Sequence, residues 1–240
     1  MSIAVPRRRP GPELLDLPEE QHDPAEFARG LYEIRLSNRY LGGLSAVTGQ
    51  IPGLLERALN TGAGVVRILD IATGTADVPA AIIALAGKAG PGVRVVGIDL
   101  NPNVIKNAVE ENRAHPEMSF IVADGLRLPF RDESFDIAVC SLTLHHMTDG
   151  QAVALLKEAR RVSSAGYVIA DLRRSGISFT LFWVLTRLLS RNRFTRHDGP
   201  LSILRAFTPA ELKGLAVEAG LEDFRVVKLP FWRMALVGRS

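Results

Sequence analysis

The sequence predicts an α/β protein built on a doubly wound, mostly parallel β-sheet. Five short runs rich in valine and isoleucine are separated by turns or helical segments: VVRILDI, VRVVGID, SFIVAD, FDIAVCS and GYVIADL. Because these runs are almost continuously apolar, they are typical of parallel strands that are buried on both faces. Two further runs, FRVVKL and RMALVGR, are joined by so few residues that they must pair antiparallel.

Helical segments alternate with the strand runs. Apolar residues recur at helical spacing over residues 24–41 and 51–59, with a glycine pair as the break between them. Among the strand runs, helices are predicted for VPAAIIALAGK, PNVIKNAVEENRA and GQAVALLKEARRV. After the fifth run we expect an apolar helix over about residues 178–191 and a helix that begins at the TPAEL segment.

The order of these elements predicts how the chain is organised. Residues 1–22 are rich in proline, arginine and acids, and we expect them to form a loose N-terminal arm. A single domain then follows over residues 23–240. Its first part, residues 23–60, is predicted to be a helical cap, and residues 173–207 form a long excursion that we predict to be a helical lid.

Composition and charge exclude several classes of protein. The single cysteine, Cys140, excludes a disulfide framework, and we expect it to be a buried packing residue. No signal peptide or membrane span is visible, so we expect a cytoplasmic protein. Residues 173–205 carry seven arginines and one acid, which indicates either a solvated face or a surface for peripheral membrane contact. No run interleaves basic and aromatic residues, so we expect no nucleic-acid partner.

The loop after the first strand run has the pattern D-x-A-x-G-x-A, which begins at Asp70 and contains Ala72, Gly74 and Ala76. A dinucleotide dehydrogenase needs G-x-G-x-x-G here, so that a pyrophosphate can reach the helix N-terminus, and that spacing is absent. The pattern resembles the D-x-G-x-G-x-G loop of class I S-adenosylmethionine-dependent methyltransferases, with alanine in place of the outer glycines. Alanine is tolerated at these positions if its φ angle is negative.

Acids also follow the next two strand runs. Asp99 and Leu100 come about 25 residues after the loop, where a carboxylate can accept both hydroxyls of a ribose. Asp124 and Gly125 end the third run, and the resemblance implies that Asp124 accepts from an adenine amino group. The alternative is that Asp70 and Asp99 are helix caps or turn formers.

The segment LPFRDESFDIAVCSLTLHH, which begins at Leu128, also looks like the fourth-strand segment of these methyltransferases. Within it we expect Asp136 to be structural, at the start of the strand. The resemblance covers roughly residues 67–172 and the closing hairpin, and it implies a seven-stranded Rossmann-like methyltransferase fold with S-adenosyl-L-methionine as cofactor. The implied cofactor contacts are Asp70, Ala72, Gly74, Asp99, Leu100, Asp124, Gly125 and Ser141.

Methyl transfer is an in-line displacement, so the protein must position the acceptor and, for a hydroxyl, help to remove its proton. The reaction demands no metal. Candidate bases follow the fourth and fifth strand runs: His145, His146 and Asp171. Such residues resemble the deprotonating groups of bacterial small-molecule O-methyltransferases. Because neighbours on an extended strand point to opposite faces, we expect only one histidine to serve the acceptor. Alternatively, one histidine merely packs beside the cofactor, and Arg173 and Arg174 hold Asp171 in an ion pair.

The acceptor is expected to be small and hydrophobic. Phe179, Phe182, Trp183 and Leu185 in the excursion can line a pocket or belong to the core. The segments RHDGPLSILRAFTPAEL, DLRRS and NRYLGG resemble methyltransferases found beside bacterial type III polyketide synthases, which implies a phenolic or quinone-like acceptor in secondary metabolism. We therefore favour O-methylation. The alternatives are a quinone-type C-methyltransferase and a cofactor-binding protein that has lost transfer activity.

Overall fold

The computed structural model describes every residue except residues 1–4, 10, 18–22, 61, 63, 90 and 91. The strands are β1 (Val65–Ile71), β2 (Gly92–Asp99), β3 (Met118–Val122), β4 (Phe135–Ser141), β5 (Ser163–Leu172), β6 (Phe224–Leu229) and β7 (Arg233–Gly238). The helices are α1 (Pro24–Tyr40), α2 (Gly43–Thr48), α3 (Ile51–Asn60), α4 (Asp77–Ala89), α5 (Pro102–Glu111), α6 (Asp149–Val162), α7 (Gly176–Leu189), α8 (Arg193–Arg205) and α9 (Pro209–Glu218). Short 3-10 helices lie at Leu14–Asp16 and Leu144–His146.

The strands form one seven-stranded sheet in the order β3-β2-β1-β4-β5-β7-β6. The first five strands are parallel, and β7 is antiparallel to both β5 and β6. This arrangement confirms the doubly wound, mostly parallel sheet and the closing antiparallel hairpin that the sequence predicts. The parallel order brings the carboxyl ends of β1, β2, β4 and β5 to one edge of the sheet, where ligands bind in folds of this kind.

Helices cover both faces of the sheet, and this explains why the strand runs are almost continuously apolar. In β1, Leu69 and Ile71 point into a core that is completed by α6 and α9. Val66 and Ile68 point to the opposite face, where α2, α3 and α4 complete a second core. Because both faces of each central strand are buried, alternation with polar residues is lost.

Local capping sets most of the helix boundaries. Thr148 and Thr208 begin α6 and α9, each in a capping box with the residue three positions later. Ser175 caps α7, which begins at Gly176, two residues earlier than the periodicity predicts. The sequence did not predict α2, which has only six residues, or α8, which contains Pro200, a residue that normally ends a helix.

The N-terminal arm is not loose over its described part. The guanidinium of Arg8 lies 3.7 Å from the centroid of the Phe207 ring. The backbone N–H groups of Leu14 and Leu15 donate to the carboxylate of Asp198 at 2.8 and 3.1 Å. The expected loose arm is therefore wrong for these residues, because contacts with α8 and the segment after it hold a polar stretch that has little apolar content of its own. The rest of the predicted arm lies outside the described residues.

The helix α7 is apolar on more than one side. Phe179 and Phe182 pack against Leu172 at the end of β5, whereas Leu188 and Leu189 at its C-terminal end are exposed. None of the helices in the described part of the chain combines the length and the apolar character needed to cross a bilayer.

Close packing between β5 and β7 depends on Gly238. A methyl group there would lie 2.0 Å from Cζ of the fully buried Tyr167. We expect Gly238→Ala to lower the free energy of unfolding by about 2–3 kcal/mol, because the ring or the strand must move. Gly214→Ala is the matched control: it lies at an exposed position of α9, where no described atom beyond its chain neighbours and the helix's own backbone is within 4 Å of the added carbon. This change should raise stability by about 0.5–1 kcal/mol. Chemical denaturation measures both variants. A free energy of unfolding of Gly238→Ala equal to that of the wild type would contradict this account.

Candidate active site

The loop between β1 and α4 contains three residues in the left-handed region. The φ angle is 57° at Ala72, 54° at Gly74 and 59° at Ala76. The condition of negative φ angles, under which alanine would be tolerated without strain, is therefore not met at either alanine. An alanine in this region costs on the order of 1 kcal/mol relative to glycine, and strain of this kind is concentrated at functional sites. Apart from its two chain neighbours, no described residue has an atom within 4 Å of a Cβ added at Gly74, so this part of the loop is open to a ligand.

Asp99, the last residue of β2, accepts a hydrogen bond from the loop between β1 and α4. Its Oδ2 accepts from the N–H of Gly74 at 3.3 Å, and its Oδ1 accepts from the N–H of Asn101 at 3.0 Å. The next residue, Leu100, is 70% exposed. A carboxylate beside an exposed apolar side chain is an arrangement that fits the polar ribose and the flat base of a nucleoside.

Asp124 and Gly125 lie in the turn after β3. The Oδ1 of Asp124 accepts from the N–H of Leu126 at 2.9 Å. A side chain at Gly125 would come within 2.7 Å of Cγ2 of Ile71, so the backbone passes close to the end of β1. Since β3 and β2 lie on the side of β1 away from β4, these residues and Asp99 flank the loop on one side only.

Asp70 carries a carboxylate oxygen that no described group satisfies. The side chain is 2% exposed, and its Oδ2 has no hydrogen-bond partner. Burial raises the pKa of Asp70 to about 7, and the charge of Asp99 acts in the same direction. Buried carboxylates are normally paired or hydrogen-bonded. A cationic group beside Asp70 would therefore stabilise its ionised form.

A cavity of about 400 Å³ opens beside the loop, which is within the size range of small-molecule sites. The predicted site residues that line it are Asp70, Ala72, Gly74, Ser141, His145 and His146. Other walls come from the arm, α1, α7, α8 and the first residue of β7. Asp99, Leu100, Asp124 and Gly125 are not among its lining residues, so the predicted residues divide into a cavity group and a group beside β2 and β3.

His145 and Asp171 form a buried pair beside this cavity. The Nδ1 of His145 lies 2.7 Å from Oδ1 of Asp171, whose Oδ2 accepts from the His145 backbone N–H at 2.8 Å. Burial alone would raise the pKa of Asp171, but the charge and hydrogen bonds of His145 outweigh it and hold that pKa below its ordinary value. The carboxylate therefore stays ionised, and in the neutral imidazole it holds the proton on Nδ1 so that Nε2 is an acceptor. Arg174 pairs with Glu211 instead of Asp171.

His146 has a different environment. Its side chain is 33% exposed, and its Nδ1 lies 3.2 Å from Oδ1 of Asp16 in the arm. The two imidazole rings are close, with centroids 4.2 Å apart and planes inclined by 41°. Because both residues lie on a 3-10 helix rather than an extended strand, the expectation that they point to opposite faces does not hold, and both line the cavity.

The arm brings two acids to this pair of histidines, and sequence reasoning missed both. Glu13 is buried and accepts from Oγ of Ser202 at 2.7 Å, and burial raises its pKa. Burial would also raise the pKa of Asp16, but hydrogen bonds from His146 and from Arg205, at 2.9 Å, hold that pKa well below its usual range. No local pattern marks these acids, because their partners lie more than a hundred residues away in the sequence.

Glu13, His145 and His146 are the described residues best placed to hold a metal ion, because their donor atoms lie within 4.8 Å of one another. Two histidines and a carboxylate are a ligand set that several divalent metals accept. The guanidinium of Arg205, however, lies 3.7 Å from Oε1 of Glu13 and already supplies positive charge at this point. We therefore assign the group to proton chemistry, and a chelator control tests this assignment.

Comparison with known proteins agrees with this geometry. A family model described as "Methyltransferase domain" matches residues 68–166. The ubiquinone/menaquinone biosynthesis C-methyltransferase UbiE of Geobacter sp. is 30% identical, and the match covers 68% of this chain and 73% of that protein. The demethylmenaquinone methyltransferase of Staphylococcus carnosus is 31% identical over 48% of this chain, which spans only 46% of that relative.

Solved structures show the same fold. Human N-acetylserotonin methyltransferase in complex with SAM superposes with a TM-score of 0.59 at 19% identity, over 90% of this chain and 56% of that one. A SAM-dependent methyltransferase from Aquifex aeolicus has a TM-score of 0.52 at 17% identity, over 76% of this chain and 87% of that one.

The strained loop gives a stability prediction. Ala72→Gly should raise the free energy of unfolding by up to about 1 kcal/mol, because glycine adopts the left-handed conformation without strain. Ala84→Gly makes the same change at an exposed position of α4 and should lower stability by about 0.5–1 kcal/mol. Chemical denaturation of both variants measures the difference. Equal losses in the two variants would show that Ala72 is not strained.

Proposed function

The chain belongs to the class I S-adenosylmethionine-dependent methyltransferases, and we propose that it methylates a hydroxyl of a small, hydrophobic, phenolic acceptor of the polyketide type. The observation that carries this proposal is the buried His145–Asp171 pair, whose histidine lines the cavity beside the cofactor loop. S-adenosyl-L-methionine is the cofactor of this family. When bound, it supplies a methyl group on a sulfonium, and the residues of the chain hold it and prepare the acceptor.

The described residues fit this cofactor. The unsatisfied carboxylate oxygen of Asp70 suits the ammonium of the cofactor's amino-acid part, since an opposite charge offsets the cost of burial. The open space at Gly74 admits the ligand against the backbone. We assign Asp99 to the ribose hydroxyls and Asp124 to the adenine amino group. Ala72 and Ser141 would contact the part of the cofactor nearest the cavity, and Leu100 and Gly125 the part near the base.

His145 is the base in this proposal. A phenol has a pKa of about 10, so transfer to its oxygen near neutral pH is faster when a positioned base removes the proton. Asp171 orients the imidazole and stabilises its protonated form, whereas His146 contacts Asp16 and faces solvent in part. We therefore assign proton transfer to His145 and a positioning role to His146.

The walls of the cavity support a hydrophobic acceptor. Leu31 of α1, Leu142 after β4, Leu172 of β5 and Phe182 of α7 all line it. Since α1 belongs to the predicted cap and α7 to the predicted lid, we propose that both segments cover the acceptor. Water exclusion by such segments strengthens the electrostatic effect of the buried pair.

The second candidate is C-methylation of a quinone-type acceptor, which the names of the relatives favour. One structural feature agrees with it: α7 exposes Trp183, Leu188 and Leu189, and Arg187 lies 4.0 Å from the Trp183 ring centroid. Such a surface suits peripheral contact with a bilayer, where a lipid-like quinone would reside. Product analysis separates the two reactions, because one gives a methyl ether and the other a new carbon–carbon bond. The comparisons favour an enzyme over a protein that only binds the cofactor.

Cofactor affinity should depend on the ionisation of Asp70. Because its pKa is about 7, protonation should weaken binding by roughly tenfold between about pH 8 and about pH 6. Asp70→Asn should bind S-adenosylhomocysteine weakly and without this pH dependence, whereas Asp124→Asn should bind weakly but keep it. Calorimetry across this pH range measures both. A wild-type affinity that does not change with pH would contradict the role of Asp70.

The raised pKa of Asp70 also makes the stability of the cofactor-free protein depend on pH. The folded-state pKa of Asp70, about 7, lies above the value of about 3.9 for an unfolded chain. Asp70 therefore contributes stability that is present below about pH 4 and is lost as pH rises through about 7.

The proposed chemistry predicts unequal effects of the two histidines. His145→Ala should slow the methyl-transfer step by about 10²–10⁴-fold, the range for loss of a general base, with little change in cofactor affinity. Activity should recover as pH rises toward the pKa of the acceptor, because solvent then removes the proton. His146→Ala should slow the step by less than about tenfold. Single-turnover rates with a phenolic acceptor across pH measure these effects.

Controls separate this account from its competitors. A chelator should leave the wild-type rate unchanged; a loss that added metal restores would reassign Glu13, His145 and His146 as metal ligands. Asp171→Asn should resemble His145→Ala, because the asparagine no longer orients and stabilises the imidazolium. Near-normal rates at all pH values in both variants would mean that proximity alone carries the reaction.

A further inference from the structure

Arg233 is a buried cation that has no ionic partner among the described residues. It is 3% exposed and lines the cavity. Its Nε donates to the carbonyl of Leu41 at 3.1 Å, and no ion pair in the described part of the chain includes its guanidinium. Burial lowers the pKa of Arg233 to about 10, opposed only by the charge of Asp171. Since buried charges in proteins are normally paired, this cation indicates a missing anion.

The other buried arginines near the cavity do not share this feature. Arg205 pairs with Asp16 at 2.9 Å and also donates to a carbonyl. Arg174 pairs with Glu211 and donates to the carbonyl of Ala206. Of the three buried arginines in the described part of the chain, the two that join segments are ion-paired, and Arg233 lines the cavity without an ion pair.

A strained turn fixes the position of Arg233. Its N–H donates to the carbonyl of Pro230 at 3.2 Å, and the two residues between them, Phe231 and Trp232, have φ angles of 54° and 52°. Large side chains rarely adopt these angles, and hairpin turns of this kind favour asparagine and glycine. The turn places Arg233 opposite Leu172, at the end of β5 that faces the cavity. Strain of this kind is observed where a functional side chain must be aimed.

The position of Arg233 assigns its anion to the acceptor rather than to the cofactor. β4 and β5 separate β7 from β1, so the strand that carries the cofactor loop lies about 14 Å away at the usual strand spacing. The His145–Asp171 pair lies at the carboxyl ends of β4 and β5, between β1 and β7. On the cofactor side, Arg35 is 3.6 Å from Asp77 at the start of α4 and is the cation nearer the loop.

We propose that Arg233 binds an ionised oxygen on the aromatic ring of the acceptor, as a carboxylate or a phenolate. This inference rests on the proposed function, because it requires the acceptor to occupy this cavity. A guanidinium presents two N–H groups in a plane that matches an oxyanion. A carboxylate would anchor the ring while His145 takes the proton of a neighbouring hydroxyl. A phenolate would be stabilised directly. In either case Arg233 selects acidic aromatic acceptors over neutral ones.

Binding rather than turnover tests this inference. Calorimetry on the full chain saturated with S-adenosylhomocysteine compares salicylate with methyl salicylate, and 4-nitrophenol with 4-nitroanisole. The wild type should bind at least one anionic probe about tenfold or more tightly than its neutral partner. The pair that shows the preference identifies the oxyanion. Arg233→Gln should abolish the preference, and Arg233→Lys should keep part of it, because lysine retains the charge without the planar fork.

Arg225→Gln is the matched control, because it removes one positive charge from an exposed position of the adjacent β6. It should keep the preference. Equal binding of both partners in both pairs by the wild type would overturn the inference, as would a preference that survives Arg233→Gln. If Arg233→Gln fails to bind S-adenosylhomocysteine or to melt cooperatively, the inference is tested by comparing the anion preference of the wild type with that of Arg233→Lys. A wild type that selects anions but methylates no phenol would overturn the proposed function and leave this inference standing.

Discussion

The buried contact between His145 and Asp171 is the interaction on which the rest of the site depends. It joins the turn after β4 to the end of β5, and it needs the parallel order of these strands to exist. The carboxylate accepts from both the ring and the backbone of the histidine, so one acid fixes the position and the tautomer of the imidazole. The cavity and the described part of the arm lie beside this pair.

The site stores unfavourable energy at both ends. At the cofactor end, Ala72 and Ala76 adopt left-handed angles and Asp70 is a buried acid with an unsatisfied oxygen. At the end near β7, Arg233 is buried without an ion pair to any described residue and follows a strained turn. Each cost falls when a ligand of opposite charge or complementary shape binds. The same arrangement therefore explains why the cavity is lined by charged as well as apolar side chains.

The sequence predicts the sheet well because its signals are local. Continuous apolar runs mark strands that are covered on both faces, and acids at strand ends such as Asp99 follow directly from that pattern. The site was only partly predictable. Glu13 and Arg233 reach the cavity through tertiary packing, which leaves no periodic trace in the chain. The sign of φ at Ala72 depends on closure of the whole loop, and α8 forms in spite of Pro200 because its buried face packs on neighbouring elements.

The most direct test of the central claim, that His145 deprotonates the acceptor, is a crystal structure with S-adenosylhomocysteine and a phenolic acceptor. The account predicts the acceptor hydroxyl within about 2.6–3.2 Å of Nε2 of His145. It also predicts that this oxygen lies in line with the sulfur, at a distance that leaves room for the methyl group between them. The contact of Nδ1 with Asp171 should be retained. The claim would be contradicted by a ring carbon of the acceptor in line with the sulfur, with Nε2 of His145 turned away from the acceptor oxygen.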